Sequence, residues 1–341
     1  MHQVSSKSTA SPPKSPLYFT KTPFLWLRAF WKFSRPHTII GTSLSVLALY
    51  AIVGIGKGGW GMGVGGWNFT SFVEALLETA RVFLLPAPYS LLPALLACLC
   101  GNVYIVGLNQ LEDVEIDRIN KPHLPIASGE FSRRQGFGLV AILGILALGI
   151  AGFQSPYLLA MVTTSLLIGT AYSLPPIRLK RFPFWASVCI LSVRGLVVNL
   201  GLFLHFNRGL PISAPVWTLT LFILVFTIAI ALFKDIPDAE GDRQYHISTF
   251  TLKLGQRRVF NITRWVVTSC YLGLILAAFS GLPGIHAPLL IITHLALILL
   301  FWWRSFKVNL QDKHSITRFY QFIWKLFFLE YILFPLVCLP A

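Results

Sequence analysis

Apolar residues gather into long, nearly uncharged runs separated by short polar stretches. A helix crossing the hydrocarbon layer needs roughly 20 mostly apolar residues, because every backbone N–H and C=O must be paired within the segment. Nine runs approach that length: 37–57, 88–110, 137–155, 156–174, 185–206, 215–233, 261–281, 286–303 and 322–339. Pro156, Pro175 with Pro176, Pro183, Pro211, Pro215 and Pro283 fall in or beside the breaks, where helices stop. The pattern predicts an all-α polytopic membrane protein with nine transmembrane helices spanning 37–341.

Two segments precede the first span. Residues 1–21 are rich in Ser, Pro and Lys without an acid, the composition of a disordered tail, with a short transit peptide as the rival reading. Lacking an uncharged apolar run before Arg28, the chain start does not read as a secretory signal. Residues 22–36 set Phe24, Trp26, Leu27, Phe30, Trp31 and Phe33 beside Arg28 and Lys32, as expected of an amphipathic helix lying at the membrane interface. The glycine-rich stretch opening 58–87 is expected to be a flexible external connection.

Composition fits lipid: 55% of the 341 residues are hydrophobic and only 12% charged, with mean hydropathy +0.68. A net charge of +15 could suggest nucleic acid. The placement of the 28 Lys and Arg argues otherwise. Most fall before the first span or in alternate connections, around Arg118 to Arg134, Arg178 to Arg181, Lys234 to Arg258 and Arg304 to Lys325. This is the positive-inside asymmetry of a chain whose amino terminus is cytoplasmic or stromal. Cys98, Cys100, Cys189, Cys270 and Cys338 sit in apolar runs without redox or zinc spacing and are read as packing.

Acidic residues are the scarce resource. Eight of the 13 crowd into two windows, Glu112, Asp113, Glu115 and Asp117, then Asp235, Asp238, Glu240 and Asp242, and D-x-E-x-D-R recurs in both. At about 100° per residue, Asn109, Asp113 and Asp117 share one helical face, with Asn102 nearly in line; Asp235, Asp238 and Asp242 share another. Glu115 and Glu240 point away from those faces. Converging carboxylates repel unless a cation intervenes, and oxygen-only ligands favour Mg²⁺, which is usually shared with phosphates. Arg118, Lys121, Lys234 and Arg243 flank the windows, and Lys180 and Arg181 lie on the connection between them. This mixture suits a diphosphate. The window from Asp113 lacks the mid-loop glycine and terminal glutamate of an EF-hand.

Arg194 lies mid-span, where a charge is costly. It either bonds a backbone carbonyl or a neighbour such as Asn199, or faces a cavity and holds an acceptor carboxylate or a phosphate. His37 has an interfacial packing role or contacts the acceptor. Trp302, Trp303, Phe327 and Phe328 are read as lipid-facing or helix-packing.

At 109–130, NQLEDVEIDRINKPHLPIASGE, the sequence resembles the UbiA-type intramembrane aromatic prenyltransferases, above all their homogentisate branch in cyanobacteria and plastids. The likeness extends to FSRPHTIIGT (33–42), GNVYIVGL (101–108), YSLPPIRLKR (172–181), KDIPDAEGDR (234–243) and FYQFIWKLFFLEY (319–331). It implies nine helices around a central cavity. It also implies two Mg²⁺ bridging a prenyl diphosphate through Asn109, Asp113, Asp117, Asp235, Asp238 and Asp242, and phytyl transfer to homogentisate with loss of its carboxylate. Tyr172 and Lys180 match the family's tyrosine and lysine region. Gln110 and Leu124 depart from the wider family, which often has Asp and Arg there. Rival expectations are a geranylgeranyl or solanesyl donor, a chlorophyllide or naphthoate acceptor, or a secondary transporter. Transporter sites tend to lie near the midplane rather than at one rim.

Overall fold

The computed structural model describes residues 16–57, 91–245 and 248–339, and the elements described are helical throughout. The glycine-rich connection at 58–87 lies outside the described residues, as do residues 1–15 of the tail. From Pro16 onward the tail is held: Leu17 N–H donates to the Glu130 carbonyl at 2.9 Å, and its own carbonyl accepts from Gln135 Nε2 at 2.7 Å.

Helix α1, Pro23–Phe33, starts at a proline, whose missing N–H costs nothing there. It buries Ala29 and Phe33 and exposes Phe24, Leu27 and Trp31. Helix α2 is Pro36–Lys57 and α3 Leu91–Glu112; the short α4, Val114–Asn120, carries the first acidic window. The next two are α5, Arg133–Gln154, which opens on a capping box formed by Ser132 and Gln135, and α6, Pro156–Ser173. Helix α7 runs Pro183–Asn207 with a π-helical segment at Leu191–Val197, and α8 is Ala214–Phe233. The second acidic window is α9, Asp235–Gln244; α10, Gln256–Phe279, α11, Ala287–Phe306, and α12, Lys313–Val337, complete the chain.

Eight of these helices are long and apolar enough to cross a membrane. The ninth expected span is α6, whose 18 residues include Thr163, Thr164, Ser165 and Thr170. Those hydroxyls dilute its hydropathy, and some are satisfied inside the bundle: Thr170 Oγ1 lies 2.8 Å from the Tyr104 hydroxyl on α3. The sequence expectation of nine spans is thus matched in number only approximately.

Helix α8 is central, with Val216, Leu219, Ile223, Phe226, Ala229 and Phe233 sealed from solvent. Helices α3 and α5 approach closely where Gly107 lies against Val140 and Gly144 against Tyr104, small residues of the kind that let membrane helices pack tightly. The alternation of spans brings the start of α2 and the ends of α3, α6 and α8 to one rim of the bundle, beside α4 and α9.

Candidate active site

The two acidic windows, more than 100 residues apart, pack against each other as α4 and α9. Lys121, just past α4, donates to Asp238 of α9, and Gly241 N–H donates to Asn120 Oδ1 at 3.1 Å. Gly241 is required by that approach, because a Cβ there would run into the Asn120 amide. The two acidic stripes are thereby brought close enough for Asp117 to feel the charges of both Asp113 and Asp238.

Within the first window, Asp113 stands at the N-cap position of α4, and its carboxylate turns away from the helix to gather three partners. Arg178 reaches Oδ1 at 3.1 Å and Lys180 the same oxygen at 2.7 Å, while Asn109 Nδ2 donates to Oδ2 at 3.1 Å. Asn109 Oδ1 accepts from Arg35 at 3.1 Å, and the same guanidinium stands 4.0 Å from Asp117. Asp117 is 6% exposed and its Oδ2 is buried without a donor. Burial pushes its pKa up to about 6, with Arg35 and Lys121 opposing the rise.

The second window shows the same imbalance. Burial, then repulsion from Asp238 and Asp235, pushes Asp242 up to about 7, and burial raises Asp235 too. Lys234 stands 3.7 Å from Asp235 and donates to the Tyr172 hydroxyl at 3.1 Å, tying α6 to this rim. Burial also lowers the Lys180 pKa, against the pull of Asp113. Among the described residues, no three acidic or histidine groups close into one metal shell as they stand. The carboxylates are instead held by basic side chains. The donor set is all oxygen, it is partly desolvated, and it includes a buried acceptor with no donor, features that fit a hard divalent cation.

Two of the predicted basic residues turn elsewhere. Arg118 pairs with Glu115 at 2.6 Å, both more than half exposed. Arg243 is exposed and lines a cleft of about 530 Å³ with Glu240, Gln256 and Lys313, on the outer side of α9. Arg181 is exposed and borders a second cleft of about 190 Å³ with Ile116, Arg178, Lys180 and Tyr245. Asn102 bonds sideways to α2: its Nδ2 donates to Thr38 at 3.0 Å and its Oδ1 accepts from Thr42 at 3.4 Å. Gln110 also turns away, donating from a buried position to the Phe33 carbonyl at 2.7 Å and the Val106 carbonyl at 3.2 Å.

Arg35 and Arg178 reach the acidic cluster without having been singled out by sequence. Both have left-handed backbones, with φ of 52° and 40°. For a non-glycine residue that costs on the order of 1 to 3 kcal/mol and persists only where the surroundings enforce it. A sequence signal existed, since each stands in a stretch quoted for its family likeness, Arg35 directly before Pro36.

Deeper in the bundle, Arg194 lies on the π segment with its guanidinium 4.9 Å from the Trp324 ring centre and 5.5 Å from that of Phe327. His37 packs edge-on to Trp324 at 5.0 Å. Phe327 and Phe328 therefore face this interior rather than lipid. Trp302 and Trp303 lie instead under Arg264 and Lys307, at 4.1 and 3.8 Å.

Comparison with known proteins agrees with this geometry. Residues 68–326 match the model of the UbiA prenyltransferase family. The chain is 52% identical over 314 residues to a homogentisate phytyltransferase of Synechocystis sp., covering 91% of this chain and 95% of that one. It is 39% identical over 318 residues to homogentisate phytyltransferase 1, chloroplastic, of Arabidopsis thaliana, covering 91% and 75%. Among solved structures, a UbiA homologue from Archaeoglobus fulgidus bound to GPP and Mg²⁺ superposes with a TM-score of 0.56 at 16% identity, over 90% of this chain and 99% of that one. A digeranylgeranylglyceryl phosphate synthase gives 0.57 at 20% identity, over 91% and 98%. Matched over most of its length by the family model and sharing half its residues with one relative, the chain belongs to the UbiA prenyltransferase family.

Proposed function

We propose that this prenyltransferase is a homogentisate phytyltransferase, transferring phytyl from phytyl diphosphate to homogentisate and releasing the acceptor carboxylate as CO₂. The product would be 2-methyl-6-phytyl-1,4-benzoquinol, an intermediate of tocopherol (vitamin E) biosynthesis. One observation carries the reading: two distant acidic windows meet at a single basic-lined rim, in a chain 52% identical to a protein of that name.

Asn109, Asp113 and Asp117 with Asp235, Asp238 and Asp242 would hold magnesium, two ions in this reading. When bound, magnesium supplies Lewis-acid neutralisation of the diphosphate. Lys121, Lys180, Lys234, Arg35 and Arg178 already stand beside these carboxylates and are placed to meet phosphate oxygens. As the allylic C–O bond breaks, its electron pair leaves with the diphosphate, and these cations stabilise the growing charge. The prenyl carbon, now electron-poor, is shielded from water by the apolar bundle, and aromatic faces such as Trp324 and Tyr320 can support it. A ring carbon of the acceptor supplies its π electrons to the new C–C bond and then loses its proton to restore the aromatic ring. The C–CO₂⁻ bond of the side arm breaks with release of CO₂, and the electron pair left on the CH₂ carbon takes up a proton to give the methyl group.

The protein is an integral membrane protein by its apolar helices and its family. We propose a cyanobacterial plasma or thylakoid membrane or a plastid membrane, following the sources of its relatives, with the active rim cytoplasmic or stromal, an orientation that its Lys and Arg asymmetry supports.

The test incubates purified enzyme with carboxyl-labelled homogentisate and competing phytyl, geranylgeranyl and solanesyl diphosphates, with and without Mg²⁺. The expected result is Mg²⁺-dependent release of labelled CO₂ with phytyl preferred. Preference for another donor overturns the phytyl assignment. Absence of any prenylated quinol overturns the homogentisate assignment.

A further inference from the structure

We propose that Arg194 is the anchor for the acceptor's carboxylate, so that the enzyme selects small aromatic acids over their neutral analogues. The proposal rests on the acceptor reading above and assigns the contact that reading leaves open.

Arg194 is a half-buried guanidinium, and among the described residues it has no counter-ion. Among the described residues no carboxylate lies within ion-pair distance of it, and its side chain donates no hydrogen bond within the protein. Its nitrogens are absent from the sealed, unbonded polar atoms of the interior, so they open onto accessible space. An arginine in the middle of a span, even half-buried, is costly without an anion. Here the surroundings compensate only part of that cost, through the Trp324 and Phe327 rings.

The position is also built. Residues 191–197 form a π segment, an insertion that re-aims side chains and is frequent at functional sites. Gly195 permits it, because any Cβ would come within 2.7 Å of the Leu224 backbone on α8. Asn199 supports it by donating to the Gly195 carbonyl at 3.0 Å while accepting from the Tyr331 hydroxyl at 2.9 Å. The guanidinium is thereby held against α2 at Gly41, where an added Cβ would meet its Nη1 at 3.3 Å.

Depth decides between a carboxylate and a phosphate. Arg35 belongs to the acidic rim, and Gly41 lies six residues further along, about 9 Å deeper at 1.5 Å per residue. That distance suits one substituted benzene ring between the diphosphate rim and Arg194. His37 and Trp324 pack against each other beside it. The rim supplies its own cations for phosphate, whereas the Arg194 fork matches a carboxylate in two-point contact.

The test measures KM for homogentisate, KM for the donor, and the acid-to-ester preference as the ratio of the Kd of homogentisate methyl ester to that of homogentisate, since the ester binds but cannot lose CO₂, in wild type, Arg194→Gln and Arg194→Lys. Equilibrium binding of homogentisate without donor or metal is read alongside, as is thermal stability. Arg194→Gln is expected to raise the homogentisate KM and Kd by about tenfold to a hundredfold. It should leave the donor KM within about threefold and collapse the acid-to-ester preference towards unity, with Arg194→Lys recovering part of it. A variant that keeps the wild-type preference, or raises the donor KM instead, overturns the proposal; a purely packing role would lower stability without moving the ratio. If wild type turns over no homogentisate at all, the parent reading fails as well.

Discussion

Replacing Asp113 by Asn keeps the shape of the side chain and removes its charge, so it separates what the carboxylate does for the fold from what it does for chemistry. In the structure this carboxylate takes an ion pair from Lys180 at 2.7 Å, another from Arg178 at 3.1 Å, and a hydrogen bond from Asn109 at 3.1 Å. Lys180 is 8% exposed and Asp113 14%, so the pairs are partly desolvated and are not screened away as surface pairs are. Hydrogen bonds to charged groups contribute about 1.5 to 3 kcal/mol each. An amide retains part of them, so the variant should lose about 1 to 3 kcal/mol of stability, readable as a modest drop in Tm in detergent. Turnover should fall further, by at least about 10²- to 10³-fold, on the scale of losing one preorganised electrostatic contact to a leaving group, or about 2.7 to 4 kcal/mol. Raising Mg²⁺ should recover little, because an amide offers the metal no anionic charge. The assay follows Mg²⁺-dependent product formation at saturating donor and acceptor, with Tm as the fold control. Glu115→Gln is the internal comparison. Two residues away and more than half exposed against Arg118, it should cost nothing measurable in either quantity. A folded Asp113→Asn enzyme within about tenfold of the wild-type rate would refute the reasoning.

Three further outcomes follow from specific contacts. Gln110→Leu leaves the Phe33 carbonyl, now bonded at 2.7 Å, buried and unpaired. It should lower stability by about 1 to 3 kcal/mol, with little change in the Mg²⁺ requirement. Gly241→Ala drives a methyl into Asn120 and wedges α4 from α9, so it should raise the Mg²⁺ concentration needed for half-maximal activity and lower stability by about 1 to 3 kcal/mol, a modest drop in Tm. For pH, Asp117 and Asp242 bind protons up to about 6 and about 7 in the metal-free protein, mainly because burial penalises their charged forms. Protons therefore compete with metal below those values. The apparent Mg²⁺ affinity, measured by titration, should strengthen as pH rises from 5.5 to 7.5 and level off above.

Much of this was legible because it depends on period alone. The spacing of Asp113 with Asp117, and of Asp235 with Asp238 and Asp242, sets which carboxylates share a face, and the spans set the rim they reach. The basic partners were less legible, for the same physical reason. Arg118 and Arg243 each follow an aspartate by one residue, about 100° around a helix, which turns them outward. Nearness in sequence suggested contact where helical rotation forbids it. Arg35 and Arg178 reach the cluster from other segments through left-handed backbones, a tertiary arrangement no local pattern encodes. Gln110 shows the reverse case. Its departure from the wider family's aspartate carries no role of its own in the sequence, whereas the folded chain uses it to satisfy the end of α1. The π segment behind Arg194 was likewise hidden, since Leu191–Val197 reads as ordinary apolar helix until Gly195 meets Leu224.

The central claim is that the two acidic windows grip one magnesium diphosphate together. A double-mutant cycle on Mg²⁺-dependent binding of an unreactive phytyl diphosphate analogue tests it, using Asp113→Asn, Asp238→Asn and the pair. If both carboxylates serve the same bound group, the second substitution costs far less than it does alone, with a coupling of about 1 kcal/mol or more. Losses that simply add, to within about 0.5 kcal/mol, would mean the windows act independently and would contradict the account.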